Sequence, residues 1–213
     1  MTTETMTVHR GLAELKVIED RINKLLREVQ FCAAAKKSMK KLNGVDIEEY
    51  KKNSQAMLDK IKDLIDRQNA IKRAISESNA KTHVTVAGVE YTVAMAIWMN
   101  QHGIDFQSAL VNLMDRQYSN AVAVIENANA RLSDRADNFV SVTNSASDKK
   151  DMDADTLTGI RQDYIDRETM ILIDGIDIKK TKEEMADKID KFKAEVDAAL
   201  STSNAMTEIT IEY

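Results

Sequence analysis

The 213 residues contain no proline, where an average usage of about 5% predicts roughly ten. Proline breaks helix interiors, so its absence removes the commonest interruption of long helices. Glycine is scarce too, with six residues in the chain. Aromatic residues make up 5%, too few for an aromatic-rich β core. Cys32 is the sole cysteine, which excludes an intramolecular disulfide and favours a reducing compartment. No stretch approaches the ~18 apolar residues of a membrane span. The opening Met-Thr-Thr-Glu-Thr-Met-Thr has no basic segment followed by an apolar run, so neither a membrane partner nor a secretory signal is expected. The net charge of −5 leaves the chain without the basic footprint that nucleic-acid binding needs, and no nucleic acid is expected.

What remains is periodicity. From Leu15 the apolar positions run Leu15, Ile18, Ile22, Leu25, Val29 and Cys32, then Lys36 and Met39, in alternating steps of three and four. This is the seam of a heptad helix, expected over about residues 10–42 and stopped by Asn43-Gly44. Asp46 is placed to cap a second helix with seam Ile47, Tyr50, Ser54, Met57, Ile61, Leu64, Gln68, Ile71 and Ile75. Two such helices joined by a few residues fold back antiparallel, so 9–79 reads as a helical hairpin.

Further on, His83–Val86 and Val89–Val93 flank Ala87-Gly88, a tight β-hairpin over 82–93. Thr92 starts a short helix through Trp98 and Met99, ended by Gly103. Asp105 is placed to cap a third long helix over 105–146, with apolar positions Leu110, Leu113, Gln117, Ala121, Val124, Ala128, Leu132, Phe139 and Val142. Residues 143–155 read as a solvated loop, followed by a helical segment near 156–167. Thr169–Ile173 reads as a strand bounded by Asp174-Gly175. Asp177 is placed to cap a last helix with seam Ile178, Met185, Ile189, Phe192, Val196 and Ala199, and Thr207–Tyr213 forms a final strand, the two occupying 177–213.

One ending occurs twice: Ser76-Glu-Ser-Asn-Ala-Lys-Thr82 followed by His-Val-Thr-Val, and Ser201-Thr-Ser-Asn-Ala-Met-Thr207 followed by Glu-Ile-Thr-Ile. Aligning the copies places Leu64 on Ile189, Ile71 on Val196, Ala74 on Ala199, Ile75 on Leu200 and Thr82 on Thr207. The expectation is two helix-to-strand units, stopped at Asn79 and Asn204 in left-handed geometry, whose strands share one small sheet. The fold class is therefore mainly α: long antiparallel heptad helices in a single elongated domain over 1–213, with a small β-sheet at one end.

Little in the sequence carries chemistry. His9, His83 and His102 show no metal-ligand spacing. Asp151-Met-Asp153-Ala-Asp155 begins like a calcium loop, but Thr156 and Gln162 stand where glycine and glutamate are needed. No phosphate-binding glycine loop or nucleophile elbow occurs. Cys32, on the first seam, is expected as core filler. No catalytic residue, metal or cofactor is expected.

Two features remain as candidate sites. Lys36, Lys37, Lys40, Lys41, Lys51 and Lys52 flank the Asn43-Gly44 turn, a cationic tip able to hold an anion or an acidic partner. The last strand, through Thr207, Ile209, Ile211 and Tyr213, offers an edge for pairing with another chain. The polar seam residues Lys36, Ser54, Gln68 and Gln117 suit a role in setting register and oligomeric state.

The Gly88-Val-Glu-Tyr-Thr-Val-Ala94 core, the Ser-x-Ser-Asn-Ala ending after a heptad helix, and the run Met170–Ile178 resemble a family of small bacterial and phage coiled-coil proteins, some labelled septicolysin. The likeness covers most of the chain outside 104–150. It implies a fold and an oligomeric habit and carries over no catalytic residue. The expected function is that of a non-enzymatic oligomeric assembly protein of phage type, acting through coiled-coil and sheet-edge contacts. Its partners would be itself and other virion proteins, and its place the host cytoplasm or the virion. The alternative is an oligomer that sequesters a nucleotide or other small anion at its lysine tips.

Overall fold

A computed structural model of the chain describes residues 2–42, 44–146 and 152–213. The fold is mainly α with small two-stranded antiparallel sheets. Its contacts divide the chain into two compact units where one domain is expected: 1–103 with 191–213, and 104–190.

The first unit is built around a strand absent from the sequence-based expectation. Strand β1 (Thr3–Thr7) runs into helix α1 (Val8–Glu28), with the Thr7 hydroxyl accepting from the Arg10 amide at 3.2 Å. The apolar seam Leu15, Ile18, Ile22 and Leu25 packs on helix α2 (Ile47–Lys81), and the seam begins earlier, at Val8 and Gly11. Helix α1 stops at Glu28 rather than near residue 42. Most helical stability comes from packing an apolar face, and beyond Val29 the seam positions are Cys32, Lys36 and Met39, which bury little. Residues 29–40 instead run without helix. Tyr50 donates to the Gln30 carbonyl at 2.7 Å, and Phe31 faces Tyr50, Ser54 and Leu58 across an open cleft. Cys32 is therefore exposed and not core filler.

The turn between the helices is a miniature hairpin of β2 (Lys41–Leu42) and β3 (Val45–Asp46), with Gly44 at φ 85°. Asn43 lies outside the described residues. Asp46 caps α2 as expected, accepting from the Glu48 amide at 2.9 Å.

Helix α2 passes into strand β4 (His83–Val86), which pairs with β5 (Val89–Thr92) across a turn with Ala87 at φ 52° and Gly88 at φ 77°. Both positive φ values match the twist-compatible two-residue hairpin. Thr92 then caps helix α3 (Val93–Trp98). A π-helical turn, Met99–Gly103, follows without a break. Gly103 is not a stop. A Cβ there would collide with the Met99 sulfur and the Trp98 ring, so its glycine permits close packing.

The last strand, β6 (Glu208–Glu212), pairs antiparallel with β1 in the register Thr3↔Glu212 to Thr7↔Glu208. Met6, Val8, Leu15, Ile18, Ile71, Ile75, Ile209 and Ile211 form the core beneath this sheet. Ile71 is fully buried, which contributes about 1.5–3 kcal/mol.

The twin endings correspond in the structure, with three corrections. Neither asparagine is left-handed. The helices run on to Lys81 and to Met206, the latter ending α7 (Ile178–Met206), and each closes when a threonine amide bonds the serine carbonyl four residues back: Thr82 to Ser78 at 2.8 Å and Thr207 to Ser203 at 2.9 Å. Thr82 is in extended geometry, which any residue adopts and which launches a strand directly. The two strands also do not share a sheet, because each already has its own partner, β5 or β1.

The correspondence extends past the strands. Val93 donates to the Thr82 carbonyl at 2.9 Å, and Val8 donates to the Thr207 carbonyl at 2.9 Å. Thr92 and Thr7 both cap the helix that follows. The unit thus contains helix–strand–strand–helix twice, once as α2–β4–β5–α3 and once as α7–β6 with β1–α1. The members are interleaved. β6 packs on Ile71 and Ile75 of α2, while the β4–β5 hairpin meets α7 through Tyr91 against Phe192 and the Ala87 amide bonded to Glu195 at 2.7 Å.

The second unit contains α4 (Ile104–Ala130), α5 (Leu132–Ala146), α6 (Ala154–Glu168) and the first residues of α7. The expected single helix over 105–146 breaks at Arg131, and Asp105 lies within the first turn of α4 rather than capping it. The Arg135 guanidinium takes up the Ala128 carbonyl at 3.0 Å at this break. The loop expected over 143–155 is helical to Ala146 and again from Ala154, while residues 147–151 lie outside the described residues. Asp153 caps α6 through the Thr156 amide at 2.8 Å. Asp177 does not cap α7. It sits at φ 51°, and Asp174 takes the Ile176 and Ile178 amides at 3.0 and 2.7 Å.

Candidate functional surfaces

The lysine tip is built by the β2–β3 hairpin. Lys36, Lys37, Lys40, Lys41, Lys51 and Lys52 are all exposed. The Met39 amide bonds the Lys36 carbonyl at 2.9 Å, and the Ile47 amide bonds the Lys40 carbonyl at 3.1 Å, so this lysine-bearing turn is tied to the start of α2. Lys51 pairs with Glu48 at 2.7 Å. Glu49 is exposed on the same first turn of α2, and Asp46 is its cap, so acidic groups accompany the lysines.

The strand edge has a different parity from the expected one. Thr2 and Tyr213 exchange both backbone bonds, at 2.9 and 3.2 Å, and Val8 donates to Thr207 at 2.9 Å. Antiparallel bonding alternates residue by residue, so Thr207, Ile209, Ile211 and Tyr213 direct their backbone groups at β1. Glu208, Thr210 and Glu212 carry the free edge. The Ile209 and Ile211 side chains are buried in the core. By the same parity, His83 and Thr85 carry the free edge of β4.

Each free edge borders a groove against the other repeat's helix. One groove, of about 480 Å³, lies between Thr82–Thr85 and Ala198, Ala199, Thr202, Ser203 and Thr207. Its counterpart, of about 260 Å³, lies between Thr210–Glu212 and Ala70, Arg73, Ala74 and Glu77. Helix positions 73, 74 and 77 correspond to 198, 199 and 202 under the sequence repeat, and Thr210 to Thr85.

One polar cluster ties the first unit together. The Arg67 guanidinium bonds Glu14 and the Tyr213 hydroxyl, pairs with Glu4 at 2.9 Å, and stands 4.7 Å from the centre of the Tyr213 ring. Its side chain is 17% exposed. The hydrogen bond from Arg67 holds the Glu14 carboxyl below its ordinary pKa, and the same bond raises that of Arg67. The cluster joins β1, α1, α2 and Tyr213, and every charge in it has a partner. It is a structural clasp.

The second unit exposes apolar surface. Met170–Ile173 is not in a strand. Both backbone groups of Met170 bond the Asn129 amide side chain, at 2.9 and 3.0 Å, which substitutes for a partner strand. The segment lies along α4, beside Asn120, Ala121, Val124 and Ile125. Ile171 and Ile173 are 67% and 85% exposed. On α4 itself, Phe106, Leu110, Leu113 and Val124 are 75, 45, 38 and 56% exposed. Lys182 pairs with Asp115 at 2.6 Å, and that bond raises its pKa.

Among the described residues no group of three or more His, Cys, Asp or Glu is placed to hold a metal, and no helix is long and apolar enough to cross a membrane. Comparison with known proteins gives no match to a family model, a curated protein or a solved structure.

Proposed function

We propose that this chain is a non-enzymatic structural protein that works by self-association, its surfaces serving contact rather than chemistry. The observation that carries this reading is the apolar surface of the second unit. A chain that leaves Phe106, Leu110, Leu113 and Val124 of α4, with Ile171 and Ile173, exposed to water gains by covering them. The free edges of β4 and β6 supply further contact points of the kind that pair with other chains. The resemblance to bacterial and phage coiled-coil proteins supports a role in phage-type assembly, with further copies and other virion proteins as partners. Light scattering at micromolar concentration tests the reading: the expected mass is a multiple of 23.9 kDa. A monomer at all concentrations refutes self-association.

A second reading follows from the exposed lysine tip, an anion-binding oligomer. Reversing Lys37, Lys40 and Lys41 to glutamate separates the two. Under the assembly reading the mass is unchanged, whereas under the second, binding of inorganic phosphate or ATP by the wild type disappears in the variant.

A further inference from the structure

Helix α4 has more apolar circumference than its own unit covers. At 100° per residue, its more buried positions Val111, Met114, Tyr118, Ala121 and Ile125 lie on one arc. Phe106, Leu110, Leu113, Gln117, Asn120 and Val124 form a second arc, centred about 100° away. Their steps are four, three, four, three and four. This is the spacing of a two-helix seam, and all six residues are exposed.

We infer that this arc is a coiled-coil seam that receives α4 of a second copy of the chain, parallel and in register. The inference rests on the self-association reading and specifies its surface. Three observations select the occupant. The spacing demands a helix with the same period. The two polar seam residues, Gln117 and Asn120, select the orientation. In a parallel, in-register pair each meets its own copy and can exchange side-chain hydrogen bonds. In an antiparallel pair that overlaps the whole seam, centred on Asp115, Gln117 would face Leu113 and Asn120 would face Leu110, stranding an amide against a hydrocarbon each time. The antiparallel register that sets Gln117 against Asn120 would set Leu110 and Phe106 against Asn127 and Arg131. Area is the third. The seam is about 27 Å long at 1.5 Å per residue. With the flanking stems, two seams withdraw on the order of 1,000 Å², the lower limit for a specific interface. The segment Met170–Ile176 flanks this arc at Gln117, Asn120 and Val124, so the incoming helix runs beside it.

Cysteine cross-linking tests the assignment on the full chain. Cys32 is the sole cysteine, so a Cys32→Ser background is free of thiols. In that background Gln117→Cys is expected to form an intermolecular disulfide under mild oxidation at least about tenfold faster than Asn112→Cys, which lies on the far side of α4. Equal rates overturn the seam. Leu110→Glu with Leu113→Glu is expected to reduce the mass to that of a single chain while far-ultraviolet circular dichroism is unchanged, since both residues are already substantially exposed. If the wild type is a multimer but Gln117→Cys does not cross-link and the double variant keeps its mass, the seam is wrong and the assembly reading stands. If the wild type is a monomer, both fail.

Discussion

Replacing Arg67 by methionine removes the charge and donors of the clasp while keeping an apolar stem along α2. The residue is 17% exposed, and its partners Glu4 and Glu14 are 30% and 23% exposed. A hydrogen bond to a charged group contributes about 1.5–3 kcal/mol when protected, whereas an exposed ion pair contributes about 0.2–1 kcal/mol. Arg67 makes three such contacts in partial shelter, and its loss leaves two carboxylates without their shared cation. The expected cost is about 2–3 kcal/mol, measured at pH 7 by urea unfolding with unchanged slope. A loss under about 0.5 kcal/mol would refute the clasp and reduce it to a solvent-screened surface pair. Acid titration gives a second reading. The folded Glu14 carboxyl lies below its unfolded value, so its contribution is fully present above about pH 4.3 and disappears as pH falls through the lower, folded value. The stability gap between wild type and Arg67→Met should therefore narrow as pH falls below about 4.3. A constant gap would show that the Glu14–Arg67 bond does not carry the effect.

Gly11→Val should cost about 2–3 kcal/mol in the same urea assay, because a Cβ at Gly11 already stands 3.3 Å from Ile71 and Ile209 and 3.4 Å from Ile75. Gly11→Ala should stay within about 1 kcal/mol of wild type, its gain in helix propensity offsetting the squeeze. A valine variant as stable as wild type would contradict the close approach of α1, α2 and β6. Asp174→Ala should cost about 1 kcal/mol through loss of the α7 cap, whereas Asp177→Gly should gain up to about 1 kcal/mol by relieving φ 51°. Thermal melting that ranks these two in the opposite order would return the cap to Asp177.

Periodicity was legible where it coincided with burial. Leu15, Ile18, Ile61, Ile71, Ile75, Phe192 and Val196 all fall on the expected seams and are buried. The same rule failed beyond Val29 for a physical reason. A heptad step records spacing, and spacing holds a helix only while the seam residues have something to bury. Leu110 and Leu113 show the converse, an apolar seam that is helical yet exposed. Strand β1 was missed because Thr3-Glu-Thr-Met-Thr7 is short and polar, and its partner lies at the other end of the chain. Its alternation, and Thr7 as cap before Val8, mirror Thr92-Val93 and could have revealed it. Met170–Ile173 has strand composition, but among the described residues it pairs with no strand. Its backbone is answered by Asn129, a pairing that local sequence cannot announce.

The internal repeat explains why the free edges of β4 and β6 match. A strand that continues directly from its own helix cannot fold back over that helix within four or five residues, so its apolar face must find another. In this chain each repeat supplies the helix that the other strand needs. Val84 and Val86 correspond to Ile209 and Ile211, and all four are buried. Ile71 and Val196 correspond as well, at 0% and 1% exposure; Ile71 packs with Ile209 and Ile211, and beside Val196 on α7 it is Phe192 and Glu195 that meet the β4–β5 hairpin. Burial is thus preserved where identity is not, the mark of a packing constraint rather than a shared ligand. The same parity that buries these residues turns the backbone of His83 and Thr85, and of Thr210 and Glu212, toward the open grooves. A contact that fits one edge is therefore matched in backbone geometry at the other, while the side chains differ: Ala198 and Thr202 line one groove, Arg73 and Glu77 the other.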